Sequence, residues 1–286
     1  MSRFNAAAPL PLGLSPVLPR WVLGWLAVPL MLWALGSLSG CAATGAGGAS
    51  ATAEPITAFD EPEIRKRARI RLELASNYFE QGQTTIALDE IKQSLAADPS
   101  YTPAYVLRGL VYMRLNNPVL AEDSFQRALQ IDPRDGDTLH NYGWFQCEAG
   151  RYPQAFALFD RALASPTYGA VARTHLVKGI CQVRAGQPTE AEASFSKSYE
   201  LDAGNPITGY NLAALLFQRG EDSRAQFYIR RINNSNLANA ETLWLGIKVE
   251  RRLRNTAEVE QLARQLGRRF AESRQWTLYQ RGAFDE

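Results

Sequence analysis

The chain has 286 residues, 46% of them hydrophobic and 21% charged, so it can bury a sizeable core and is neither disordered nor a polytopic membrane protein. Its 31 Lys and Arg residues nearly balance 29 Asp and Glu, which argues against the basic surface of a nucleic-acid-binding protein. Two His and three Cys leave few ligands for a catalytic metal, and we expect neither a metal nor a cofactor.

The N-terminus has the layout of an export signal. Up to Cys41 there is no acidic side chain, and Arg20 precedes the apolar run 21–38. The segment Leu38–Cys41 resembles the bacterial lipobox, in which small residues precede a cysteine whose thiol takes a diacylglyceryl group. We therefore predict a lipoprotein signal peptide over residues 1–40 and lipidation of Cys41. The alternative is an uncleaved membrane anchor, because 18 residues just span a bilayer.

The residues after the signal predict a lipid-anchored periplasmic body. Residues 41–62 are rich in Ala, Gly, Thr and Ser, a composition typical of a flexible tether. The acyl chains of a lipidated cysteine would hold that tether in a membrane. In Gram-negative lipoproteins an Asp at the next position favours retention in the inner membrane. Since Ala42 stands there, the resemblance implies the outer membrane, with the body facing the periplasm.

The rest of the chain, residues 63–286, repeats with a period near 34 residues. The period is set by alanines spaced 34, 34, 36 and 34 residues apart, at Ala87, Ala121, Ala155, Ala191 and Ala225. A period in this range indicates a solenoid. If these alanines are position 20 of a unit, position 8 is always Gly or Ala, and position 24 is always Phe or Ile. Position 15 is Gly82, Gly150, Gly186 or Gly220 in four units, where a helix must end.

This pattern resembles the tetratricopeptide repeat, and it predicts an all-α, right-handed superhelical solenoid of about six helix-turn-helix units. The predicted units are residues 68–101, 102–135, 136–171, 172–205, 206–239 and a degenerate 240–273, followed by a C-terminal cap over 274–286. Between Lys248 and Arg281 there are nine Lys or Arg against four acids. That excess either docks on anionic lipid or an acidic partner, or is the solvated face of a capping helix, and we favour the second interpretation.

The first helix of each unit should line the concave surface, where the sequence is unusually apolar. Such a surface is typical of a groove for an apolar or amphipathic peptide segment. The alternative is that superhelical curvature buries part of the set between neighbouring helices. No Lys lines the predicted groove, which argues against a clamp for a C-terminal carboxylate. The predicted groove residues are Leu72, Phe79, Val106, Leu110, Met113, Trp144, Leu176, Ile180, Tyr210 and Phe217.

The other two cysteines should lie on neighbouring first helices. Cys147 falls at position 12 of the third unit, and Cys181 falls at position 10 of the fourth. An oxidising periplasm favours a disulfide between them, provided that their Cα atoms approach within about 4.4 to 6.8 Å. The alternative is two buried thiols that act as small hydrophobic side chains.

Catalysis has little support in the sequence. The chain contains no metalloprotease, nucleophile-elbow or phosphate-loop motif, and we interpret His140 and His175 as structural residues in separate units. We predict that the protein is not an enzyme, although an unrecognised site remains an alternative.

The architecture and several segments together resemble the PilW/PilF family of type IV pilus biogenesis lipoproteins. The resemblance spans nearly the whole chain after the signal peptide. It is carried most specifically by residues 141–145 with Cys147 and 150–152, by 178–181, and by 242–246 before 268–270.

This resemblance implies a pilotin-like adaptor that acts by binding alone. It would bind pilus secretin subunits and promote their outer-membrane localisation, multimerisation or stability, with no nucleic acid and no small-molecule substrate. The alternative is a tetratricopeptide lipoprotein scaffold of another envelope machine, for outer-membrane protein insertion or the recruitment of cell-wall hydrolases.

Overall fold

The computed structural model describes residues 61–285, which form thirteen α-helices and contain no strand. The predicted signal peptide and Cys41 lie outside these residues, as does nearly all of the predicted tether. Within residues 61–285 no helix is both long enough and apolar enough to cross a membrane. The helices are α1 (Glu63–Glu80), α2 (Thr84–Ala97), α3 (Thr102–Arg114), α4 (Pro118–Ile131), α5 (Gly136–Glu148), α6 (Tyr152–Leu163), α7 (Val171–Arg184), α8 (Pro188–Leu201), α9 (Pro206–Gln218), α10 (Asp222–Asn233), α11 (Ala240–Arg252), α12 (Thr256–Arg269) and α13 (Arg274–Arg281).

Twelve of these helices form six successive pairs, which we call units 1 to 6, from α1/α2 to α11/α12. Each helix packs against the next one along the chain. The first helices of units also contact one another, α1 with α3, α3 with α5, α5 with α7, and α9 with α11. Direct contact between first helices places them on the inner side of the stack. The prediction of an all-α solenoid of helix pairs is therefore confirmed.

Helix starts follow the local sequence. The side chains of Asn117, Asp135 and Asn205 accept hydrogen bonds from backbone N–H groups in the first turns of α4, α5 and α9. Proline is the first residue of α4, α8 and α9, where its missing N–H has no helical partner to lose. These signals mark where individual helices begin.

Inside units 2 to 4, a glycine on the first helix lets a phenylalanine of the second helix pack against the backbone. A Cβ added to Gly109, Gly143 or Gly179 would lie 2.5–2.7 Å from the ring of Phe125, Phe159 or Phe195. All three rings are fully buried. Units 1 and 5 carry Ala at position 8 and the smaller Ile at position 24, so the paired volumes compensate. A small residue on the first helix that faces a large one on the second thus forms the interface within each of these pairs.

The turn inside each unit needs a left-handed residue at position 15. The four predicted glycines have φ between 72° and 80°. Units 2 and 6 place Asn116 (φ 55°) and Arg254 (φ 61°) at the same position. Asparagine tolerates this conformation better than other residues with a side chain, whereas Arg254 adopts it at a cost.

A disulfide bond joins Cys147 of α5 to Cys181 of α7, with their Cα atoms 5.9 Å apart. Nearby, the buried His140 places Nδ1 2.8 Å from the Thr174 hydroxyl, which in turn lies 2.7 Å from the hydroxyl of Tyr168. Units 3 and 4 are therefore linked by a covalent bond and, beside it, by a chain of polar side chains.

Unit 6 is closed by the C-terminal helix α13, which packs on α11 and α12. Trp276 of α13 lies over Gly267, where an added Cβ would meet the indole ring at 2.8 Å. Beyond α13 the chain turns back, and the ring of Phe284 stacks on that of Trp244, with centroids 5.4 Å apart. The end of the described chain is thus held against the first helix of unit 6.

Candidate functional site

The concave face is the candidate functional surface, because it is built from six first helices and carries the predicted groove. Eight of the ten predicted groove residues are half-buried, so part of each side chain remains open to a ligand. They are Leu72, Phe79, Leu110, Met113, Trp144, Ile180, Tyr210 and Phe217.

The prediction is wrong for Val106 and Leu176, which are only 8% and 6% exposed. Both lie at position 5 of their units. Val106 packs in a cluster with Phe125 and Phe145, and Leu176 packs in one with Leu212. Neighbouring first helices approach closely enough in the middle of the stack to cover position 5. Neither side chain is available to a partner.

In unit 1 the groove residues pack on the buried core. Leu72 and Phe79 pack on a buried cluster that includes Ala75 and Ile91. The guanidinium of Arg114, from α3, lies 4.0 Å from the centroid of the Phe79 ring. Its Nη1 also donates a hydrogen bond of 2.6 Å to the Phe79 carbonyl. This arginine both caps the end of α1 and orients the aromatic ring beside the groove.

The same arrangement recurs, and the sequence analysis missed it. Arg252 lies 4.1 Å from the Phe217 ring, and its Nη1 donates a hydrogen bond of 3.0 Å to the Phe217 carbonyl. Arg184 lies 4.9 Å from the ring of Trp144. All three arginines occupy position 13 of units 2, 4 and 6, and each aromatic belongs to the unit before. A basic residue recurring at position 13 was the signal that would have found them.

His140 is buried and His175 is half-buried. Burial, and to a lesser extent the positive charge of Arg173, lower the pKa of His140 to about 3, so the ring is neutral near pH 7. Burial, followed by the charges of Lys178 and Lys197, also lowers the pKa of His175. Within residues 61–285 no group of three or more His, Cys, Asp or Glu residues is placed to hold a metal ion. The arrangement offers a binding surface.

Buried charge in unit 6 is structural. Glu250 is 1% exposed and accepts hydrogen bonds from Arg230 (2.6 Å), Gln226 (2.8 Å) and Asn255 (2.6 Å). Burial raises the pKa of its carboxyl, but these donors and the Arg230 charge outweigh burial and hold that pKa below its usual range. The carboxylate therefore stays ionised and ties the second helix of unit 5 to unit 6.

Sequence profiles of the tetratricopeptide repeat match residues 72–136 and 147–206, and another matches residues 124–157. Such repeats typically act as scaffolds for protein interactions. Among characterised proteins, the type IV pilus assembly protein PilF of Pseudomonas aeruginosa is 26% identical over 209 residues, which cover 73% of this chain and 83% of PilF.

Two solved structures share both fold and sequence with the chain. The crystal structure of PilW, described as a widely conserved type IV pilus biogenesis factor, is 30% identical with a TM-score of 0.66, covering 74% of this chain and 97% of PilW. The structure of Pseudomonas aeruginosa PilF is 25% identical with a TM-score of 0.68, covering 77% of this chain and all of that one. The chain therefore belongs to the PilW/PilF family of tetratricopeptide repeat proteins of type IV pilus biogenesis.

Proposed function

We propose that the protein is a lipid-anchored adaptor of the outer membrane, facing the periplasm, that binds type IV pilus secretin subunits and promotes their localisation, multimerisation or stability. The main support is its 30% identity to PilW over 97% of that chain. The mechanism needs no reacting group, since a scaffold acts by holding its partner in place.

The apolar end of the concave face supports the binding step. Leu72 and Phe79 of α1, with Leu110 and Met113 of α3, expose part of their apolar surface on neighbouring first helices. Covering such surface contributes about 25 cal/mol per Å², so an apolar or amphipathic secretin segment would gain affinity there. Since Val106 is buried, we assign the contact to the other four side chains.

The anchor supports the localisation step. A thioether-linked diacylglyceryl group on Cys41 and the following residues up to 62 would keep unit 1 near the membrane surface. Confinement raises the effective concentration of the groove for a secretin subunit at the same membrane.

The groove is tested by the double variant Leu72→Glu/Phe79→Glu. We expect loss of heat-resistant secretin multimers in cells, with an unchanged helical circular dichroism spectrum. Val119→Glu is the matched control, because Val119 is an apolar residue of α4 that is 75% exposed and lies outside the groove. Normal multimers in a folded groove variant would refute the groove as the secretin contact.

The anchor is tested separately by Cys41→Ser. We expect the variant to leave the membrane fraction on washing at alkaline pH, while the repeat domain keeps its melting temperature. Retention in the washed membranes would contradict lipidation and favour an uncleaved anchor.

A further inference from the structure

At its C-terminal end the concave face carries cationic as well as apolar side chains. Between α9, α11 and the returning chain lies an open cleft of about 420 Å³, within the range of ligand-binding pockets. It is separate from the proposed secretin contact in units 1 and 2. Three aromatic and three cationic side chains contribute to its lining, namely Tyr210, Phe217, Phe284, Lys248, Arg251 and Arg252.

The cations of the cleft stand over aromatic rings. The Arg251 guanidinium lies 4.1 Å from the centroid of Phe284, and that of Arg252 lies 4.1 Å from Phe217. Lys248 Nζ lies 5.8 Å from the ring of Phe217 and 5.6 Å from that of Trp244. Stacking on Phe284 and Phe217 positions the Arg251 and Arg252 guanidinium groups at the cleft, so an anion that enters meets positive charge there.

The cations of the cleft differ in their pairing with carboxylates. Arg252 is paired with Asp222, with Nη2 2.8 Å from Oδ1. No ion pair joins Arg251 to a carboxylate of residues 61–285. Partial burial lowers the pKa of Lys248, and the negative charge of Asp285 opposes that shift. A further anion in the cleft would be stabilised by the Arg251 guanidinium.

The chain itself shows which ligand chemistry fits. Phe284 and Asp285 form one wall of the cleft, with the phenyl ring between Trp244 and the Arg251 guanidinium and the carboxylate near Lys248. An aromatic side chain followed by an acid therefore satisfies both the rings and the cations at this surface. A second segment of this kind would place its apolar side chain against Tyr210 and Phe217 and its acid near Arg251.

We propose that this cleft binds an acidic peptide segment of a protein partner, one that carries an aromatic or large aliphatic side chain next to its carboxylates. Charge complementarity selects the acids, and the exposed parts of Tyr210 and Phe217 receive the apolar side chain. The inference goes beyond the secretin proposal. It concerns units 5 and 6, and its test measures binding by purified protein without any pilus component.

The test titrates the purified full chain into a fluorescein-labelled peptide, Gly-Asp-Phe-Asp-Glu-Gly, and follows fluorescence anisotropy. The comparison peptide, Gly-Asn-Phe-Asn-Gln-Gly, has the same shape without the charges. We expect saturable binding of the acidic peptide and about tenfold weaker binding of the neutral one. No saturation below about 1 mM, or equal affinity for the two peptides, would overturn the proposal.

Two charge reversals locate the site. Arg251→Glu, in the cleft, should weaken binding of the acidic peptide about tenfold. Arg268→Glu makes the same change of net charge at an exposed position of α12 outside the cleft, and should change affinity less than about twofold. An equal loss in both variants would mean nonspecific attraction. If phosphatidylglycerol vesicles bind the protein through Arg251 and the peptide does not bind, the surface serves a membrane and the proposal fails.

Discussion

The middle helix pairs and the last pair fill the same interface with side chains of opposite size. In unit 3, Gly143 faces the buried ring of Phe159. In unit 6 the large residue is on the first helix, Ile247, and the small one is on the second, Ala263, and both are buried. Each pair must therefore fill the same total volume between its two helices. The large side chain can come from either the first or the second helix.

The two regions also differ in what reinforces the packing. Units 3 and 4 share the disulfide and the neutral, buried His140. Units 5 and 6 share the ionised, buried Glu250 and have α13 as a cover. The middle should therefore respond to reductant and to mild acid, whereas the C-terminal end depends on ion pairing and on its last helix.

Removing the disulfide should have the largest effect on the middle. A crosslink across a sequence separation of 34 residues stabilises the folded state by about 3 to 4 kcal/mol. We expect Cys147→Ala/Cys181→Ala to lose that much free energy of unfolding in urea titrations. Reductant should lower the stability of the wild type equally and leave the variant unchanged. If reductant leaves the free energy of unfolding of the wild type unchanged, the crosslink is contradicted.

Filling a glycine of the middle pairs should cost less. Gly109→Leu forces a side chain into the ring of Phe125 and should destabilise the protein by about 1 to 3 kcal/mol. Gly169→Leu is the control, because a Cβ added at Gly169 meets no atom within 4 Å. An unchanged melting temperature for Gly109→Leu would show that the small residue is not needed for packing in the middle units.

The smallest effect is the response to acid. The folded pKa of His140 lies below its ordinary value, so the unfolded chain binds more protons, and stability falls as the pH drops below about 6.5. Between pH 7 and 5.5 we expect a loss of about 1 kcal/mol in free energy of unfolding. His140→Gln should remove more of this dependence than His175→Gln, since His175 is only half-buried. Equal pH dependence in wild type and His140→Gln would contradict a neutral buried ring.

Much of the fold could be predicted from the sequence because it depends on the local spacing of residues. Small and large residues sixteen positions apart, such as Gly109 and Phe125, and left-handed glycines such as Gly82 fix helix pairs without any knowledge of distant contacts. The exposure of position 5 could not be predicted from the sequence, because it depends on how closely neighbouring first helices approach. Val106 and Leu176 were assigned to the groove wrongly for that reason.

The cleft at the C-terminal end also could not be predicted from the sequence. The basic run from Lys248 to Arg281 was noted and interpreted as a solvated face, but its chemistry depends on the chain returning after α13. That return brings Phe284 under Arg251, a contact across 33 positions that no period predicts. Cys41 and its anchor lie outside the described residues and stay a prediction.

Deleting the gene and measuring heat-resistant secretin multimers on denaturing gels tests the proposed function most directly. The account predicts that multimers disappear while secretin monomers persist, and that the wild-type gene restores them. Undiminished multimers in the deletion strain would show that this adaptor has another partner.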